Sequence, residues 1–94
     1  MLDDAILEAS RLLASLRSMR AAQTVVDEAE LALSALEHGN PSHHTLDFVA
    51  DALERIDSGL PHGALAGFVR VRLRHLAGMV AAMQDNTPTP PSAA

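Results

Sequence analysis

Four of the five histidines lie near the two segments that interrupt the apolar pattern, where converging imidazoles could bind a transition metal. His38, His43 and His44 surround the turn at 39–41, and His62 lies in the second segment. Helical metal ligands are spaced three or four residues apart, so that both side chains reach one ion. His43 and His44 are adjacent and therefore diverge, which favours solvated turn histidines. We predict no bound metal ion and no cofactor.

Hydrolytic chemistry has equally little support in the sequence. Asp47, Asp51 and Glu54 share one helix face, but solvated acids on helices are far commoner than acid–base pairs. The chain has no Cys, and it has neither a GxSxG nucleophile turn nor a glycine-rich phosphate loop. We therefore predict that the protein is not an enzyme.

Three arginines alternate with apolar residues in the segment 70–75, written RVRLRH. Because successive helical residues are about 100° apart, Arg70 and Arg74 are predicted to face solvent. Arg72 instead falls within the apolar arc of its helix. That arc is predicted to contain Leu65, Phe68, Leu76 and Met79.

Two interpretations of Arg72 remain open from the sequence. Its aliphatic stem could lie along apolar surface while the guanidinium reaches water. Alternatively, the guanidinium could pair with a carboxylate of a facing helix, because a desolvated arginine requires a partner. The candidate carboxylates are Asp57, Glu28 and Glu30. In either case we expect Arg72→Ala to be more damaging than Arg70→Ala.

The elements that would position these residues are helices, since Ala and Leu dominate the apolar content and only two residues are aromatic. Apolar residues at alternating spacings of three and four predict helices over about 41–58 and 63–84. Gly39 is a natural helix terminator, Asn40 a natural N-cap and Pro41 a suitable first helical residue. The two helices form an antiparallel hairpin, and a Pro-rich tail at 85–94 is predicted to be disordered.

The N-terminal segment carries two apolar stripes that are out of phase. The first comprises Leu2, Ile6, Ala9, Leu13 and Leu16, and the second Ala22, Val26, Ala29, Leu33 and Leu36. The chain either breaks into two helices near 20–24 or forms one long helix with a local kink. Because no Gly or Pro interrupts it, we favour one helix over about 2–38, which would span about 55 Å.

A helix of that length needs more cover than one hairpin provides. The predicted fold is therefore an all-α antiparallel helical hairpin or three-helix bundle, a single domain over 1–84 that dimerises into a larger bundle.

The charge balance argues against several partners. The net charge is −5, and all seven cationic side chains are arginines. An acidic surface repels nucleic acid and anionic membranes. A small nucleic-acid-binding regulator that uses Arg55, Arg70 and Arg74 remains the alternative. With no long apolar run and an acidic N-terminus, we expect a cytoplasmic protein without a membrane segment.

Each helical segment carries one large apolar residue roughly opposite its main stripe. These residues are Leu7, Leu31, Phe48 and Val71. If they cluster, they form a second apolar surface that a partner covers, with Arg72 setting the register by charge. We therefore predict a protein-interaction module, such as an adaptor, a regulator or a secretion-chaperone-like protein, that packs helix faces with itself or with another protein.

Overall fold

The computed structural model describes residues 2–38 and 41–86, and these residues form four α-helices. The helices are α1 (Leu2–Ser18), α2 (Gln23–Glu37), α3 (His43–Gly59) and α4 (Ala64–Asn86). The prediction of an all-α protein is confirmed, and the described residues contain no strand. The predicted three-helix arrangement is wrong, because the N-terminal segment forms two helices.

The four helices lie around one shared core in a closed ring. Contacts join α1 to α2, α2 to α3, α3 to α4, and α4 back to α1. Short connectors make successive helices antiparallel. The last neighbours, α1 and α4, are antiparallel as well, since Ser18 near the end of α1 lies beside Leu65 near the start of α4. Each helix therefore has an inner face and one outward face.

The three–four spacing of apolar residues predicted for the segments 41–58 and 63–84 is confirmed by the buried residues of α3 and α4. In α3 and its connector the buried residues include Leu46, Val49, Leu53, Ile56 and Leu60. In α4 they are Ala66, Val69, Leu73, Leu76, Val80 and Met83. Because these side chains recur every three or four residues, each helix presents one continuous ridge to the core.

The break between α1 and α2 is a Schellman motif. The backbone N–H of Arg20 donates to the carbonyl of Arg17 at 3.1 Å, and that of Ala21 donates to Leu16 at 3.0 Å. Arg20 has a φ of +55°, the left-handed conformation that this motif requires. Glycine usually occupies that position, so an arginine there gave no sequence signal. The preferred continuous helix over 2–38 is therefore wrong.

The connectors around α3 differ in detail from the prediction. The N-cap of α3 is Ser42, whose hydroxyl accepts from the backbone N–H of Thr45, so Pro41 precedes the cap. Gly39 and Asn40, predicted as terminator and cap, lie outside the described residues. Before α4, Gly63 has a φ of +150°, a conformation that side chains with a Cβ rarely adopt.

Two further predictions concern the C-terminus and the membrane. Of the tail predicted at 85–94, Asp85 and Asn86 belong to α4, which corrects that boundary, and 87–94 lie outside the described residues. Within the described part of the chain, every helix is too short or too polar to span a membrane.

Candidate functional site

The ring of helices separates charge into two halves. We define the neutral half as α1 with α4, and the acidic half as α2 with α3. The neutral half carries five arginines and four carboxylates, a formal charge of +1. The acidic half carries one arginine and eight carboxylates, a formal charge of −7. One side of the bundle is therefore strongly acidic, and on the opposite side the positive and negative charges nearly balance.

The neutral half also carries the most exposed large apolar side chains. Leu65, Phe68 and Val71, here named the apolar patch, are exposed by 69%, 76% and 67%. All three lie on α4, at successive spacings of three residues. Leu65 and Phe68 were predicted to lie in the apolar arc of α4 near Arg72, and the structure leaves both exposed, outside the core. The apolar arc of α4 is wider than the surface that α1 and α3 cover, so its outer part faces solvent.

Small side chains of α1 leave an open hollow beside the apolar patch. Ala14, Ser15 and Ser18 line it from α1, and Leu65 and Phe68 line it from α4. Short side chains on one wall and large ones on the other produce a groove between antiparallel helices. Such a groove is the shape that accepts the apolar face of another helix.

A charged cluster lies further along the same α1–α4 face, beside Phe68 and Val71. The Glu8 side chain is only 8% exposed, and its Oε1 accepts from Arg72 Nη1 at 3.0 Å. Its Oε2 lies 3.8 Å from Nδ1 of the more exposed His75. We name these three residues the Glu8 cluster. They adjoin Phe68 and Val71 around a second open hollow.

The Glu8 cluster decides between the two interpretations of Arg72. Arg72 forms an ion pair with a facing helix, but its partner is none of the three candidates. Each of those acids pairs with a different arginine: Arg70 with Asp57, Arg55 with Glu28, and Arg17 with Glu30. Glu8 was missed because it belongs to a helix whose position beside α4 depends on the break at residues 19–22.

Arg70 was predicted to face solvent, and the structure shows otherwise. Its side chain is 20% exposed, and Nε donates to Asp57 Oδ1 at 3.0 Å. The two Nη groups donate to the backbone carbonyls of Asp57, Leu60 and Pro61. Carbonyls at a helix end lack intrahelical donors, so a long side chain from the next helix satisfies them. Arg70 therefore holds the α3–α4 connector in place. Because its substitution would remove these hydrogen bonds, Arg70→Ala is not a suitable control for Arg72→Ala.

The four apolar residues predicted to form a partner surface are all exposed. Leu7 and Leu31 are each exposed by 50%, Phe48 by 42% and Val71 by 67%. They lie on four different helices, two in the neutral half and two in the acidic half. Because each faces away from a common core, no single flat surface carries all four. Only Val71 lies in the apolar patch.

Two glycines in the interior of α4 pack closely against no other helix within residues 2–38 and 41–86. A Cβ added at Gly67 or Gly78 would meet no atom within 4 Å. A glycine inside a helix costs about 1 kcal/mol relative to alanine. Gly78 lies two turns after Val71, on the same side of α4. The outer side of α4 therefore has small residues that the described chain itself does not require.

The histidines near the α2–α3 connector make local contacts. His38 Nδ1 lies 2.5 Å from the carbonyl oxygen of Ser34, and His43 Nδ1 lies 3.3 Å from Asp47 Oδ2. Among residues 2–38 and 41–86, no group of three or more His, Asp or Glu side chains is placed to hold a metal ion. His44 is exposed.

No protein-family model, curated protein or solved structure matches this chain. What the protein does is therefore inferred from the charge, exposure and packing of its described residues.

Proposed function

We propose that this protein is a non-enzymatic, cytoplasmic helical module, an adaptor or regulator, that binds another protein helix through its neutral half. The observation that carries the proposal is the apolar patch. Three large side chains more than two-thirds exposed on one helix are unfavourable in water unless a partner covers them.

The size of the patch supports this proposal. Leu65, Phe68 and Val71 together expose on the order of 400 Å² of apolar surface, as large as the largest patch of a typical monomer. Burying that area is worth roughly 10 kcal/mol before the costs of association are subtracted. The patch can therefore supply the core of a specific interface.

Charge supports the neutral half as the binding face. Both halves carry nine charged side chains, but those of the acidic half sum to −7 and repel any acidic surface, whereas those of the neutral half sum to +1. In the neutral half, the Glu8 carboxylate is already neutralised by Arg72 at 3.0 Å. A partner that covers this face therefore need not supply a positive charge for Glu8.

The nucleic-acid alternative is less well supported by the same geometry. Arg55 Nε lies 3.1 Å from Glu28 Oε2, and the Arg70 guanidinium donates hydrogen bonds to Asp57 and to the carbonyls at the end of α3. Two of its three proposed phosphate contacts are thus engaged within the chain, which leaves Arg74. A duplex would also approach a molecule of net charge −5.

Site-specific photo-crosslinking in cells tests the proposal. A photoreactive amino acid at Phe68 is expected to form covalent adducts with protein. The matched control is the same residue at Leu31, an exposed apolar position in the acidic half, where we expect no adduct. Equal labelling at both positions, or none at Phe68, would contradict a binding face on the neutral half.

A further inference from the structure

We propose that the partner of the neutral half is a second copy of the same chain. In this dimer α4 packs antiparallel against α4 of the copy, and Val71 lies at the two-fold axis. The inference rests on the proposed function, because it names the occupant of the same face. Three features of the described residues carry it: the distribution of charge, the spacing of small residues along α4, and the size of the face.

The charge distribution favours a copy over an unrelated acidic partner. Two molecules of net charge −5 repel each other in most orientations. When the two neutral halves meet, the facing surfaces carry only +1 each, and both −7 halves point away from the interface. This orientation keeps the acidic surfaces furthest apart. It also leaves them hydrated.

The residues along the outer side of α4 match one another about Val71. In an antiparallel pair centred there, Val71 faces the partner's Val71, and Ala64 faces the partner's Gly78 seven residues away. Small side chains at both positions permit close approach of the helices. Phe68, three residues before the centre, faces the partner's His75 four residues after it, so two flat rings can stack.

The dimensions of the face suit a stable dimer. A helix of 17 residues is about 25 Å long, and two neighbouring helices are about 20 Å wide, so the α1–α4 face has a planar area of about 500 Å². Two such faces together reach the ~1,000 Å² of total buried area that a biological interface should clear. A symmetric contact is isologous, so one apolar patch is covered by the other. Each chain thereby completes the interface that the other lacks.

Disulfide trapping tests the two-fold axis, because the natural chain contains no cysteine. Under mild oxidation Val71→Cys is expected to give a covalent dimer, since a residue on the axis lies next to its own copy. Leu31→Cys, at a half-exposed position in the acidic half, is expected to give about tenfold less. Equal yields from the two variants would overturn the arrangement.

Sedimentation velocity of the unoxidised proteins tests the dimer itself. We expect the natural chain to sediment with twice the mass of one chain at micromolar concentration, and Phe68→Asp to sediment as a folded monomer. Phe48→Asp, the matched substitution in the acidic half, is expected to remain dimeric. A dimer that survives Phe68→Asp, or one lost equally in both variants, would overturn the inference.

The two proposals fail in different ways. If the natural chain is monomeric across the micromolar range but Phe68 crosslinks to a different protein in cells, the second copy is wrong and the proposed function stands. If it is monomeric and no protein adduct forms at Phe68, both are wrong.

Discussion

The two halves of this bundle are built from similar helices and differ in what their outer surfaces can do. The acidic half has eight carboxylates and one arginine. Its helices pack closely at Gly59, where an added Cβ would clash with Val25. The neutral half carries exposed apolar side chains and glycines with open space around them. Helices with similar buried faces can therefore differ in what their outer surfaces bind. α4 is apolar on more sides than its own chain covers.

The largest effect is expected from the buried carboxylate of the neutral half. Arg72→Ala leaves Glu8 without the donor at 3.0 Å, and should lower the free energy of unfolding by about 2–3 kcal/mol. Arg74→Ala, which removes an exposed side chain two residues on, should change it by less than about 0.5 kcal/mol. Chemical denaturation measures both.

A compensating double substitution sharpens that result. Glu8→Leu combined with Arg72→Met replaces the ion pair by apolar side chains and should recover most of the lost stability. Equal denaturation midpoints for Arg72→Ala and Arg74→Ala would show that the pair has no special place in the fold.

Glycine substitutions should have opposite signs in the two halves. A Cβ at Gly59 in α3 would lie 2.6 Å from Val25 Cγ2 in α2, so Gly59→Ala should destabilise by about 1–3 kcal/mol. Gly78→Ala in α4 meets open space and should stabilise the isolated chain by about 0.5–1 kcal/mol. Thermal unfolding in the Phe68→Asp background separates this effect from association, and a shared sign would refute the contrast.

The turn between α1 and α2 should gain stability from a glycine at Arg20. Arg20→Gly relieves a φ of +55° that costs an arginine on the order of 1 kcal/mol, although the more flexible unfolded chain offsets part of this gain. We expect a net rise of about 0.5 kcal/mol in the free energy of unfolding. A fall measured by chemical denaturation would argue against the Schellman geometry at residues 16–21.

The smallest effect concerns repulsion within the acidic half. Glu54 is exposed and lies three residues from both Asp51 and Asp57, so Glu54→Lys should stabilise by a few tenths of a kcal/mol at low salt. The gain should shrink as salt screens the charges, and Glu54→Gln should show a smaller part of it. A gain that is independent of salt would assign it to helix propensity instead.

How far the sequence predicts this fold depends on whether local signals agree with the packing. The stripes of α3 and α4 have the right period, so all their buried residues except Ala52 are predicted. The break after α1 is predicted only as the less favoured alternative, near 20–24, because its left-handed residue is Arg20 and its next N-cap is Ala22, which forms no side-chain cap. Neither residue type signals a helix end.

The candidate site was harder to predict, because it depends on which helices are neighbours. The exposure of Leu7, Leu31, Phe48 and Val71 follows from the period alone. The pairing of Arg72 with Glu8 does not, because it requires α1 to lie antiparallel to α4.

The apolar patch was missed for a related reason. Leu65 and Phe68 have the same period as buried residues. Only the contacts of α4 show that its apolar arc extends beyond the surface that α1 and α3 cover.

Self-association through the neutral half makes the melting temperature depend on protein concentration, because binding of a second folded copy stabilises the folded state by mass action. The melting temperatures of the natural chain and of Phe48→Asp should rise with concentration, whereas that of Phe68→Asp should stay constant. A constant melting temperature for the natural chain, or a rise that Phe48→Asp abolishes and Phe68→Asp preserves, would contradict self-association through the neutral half.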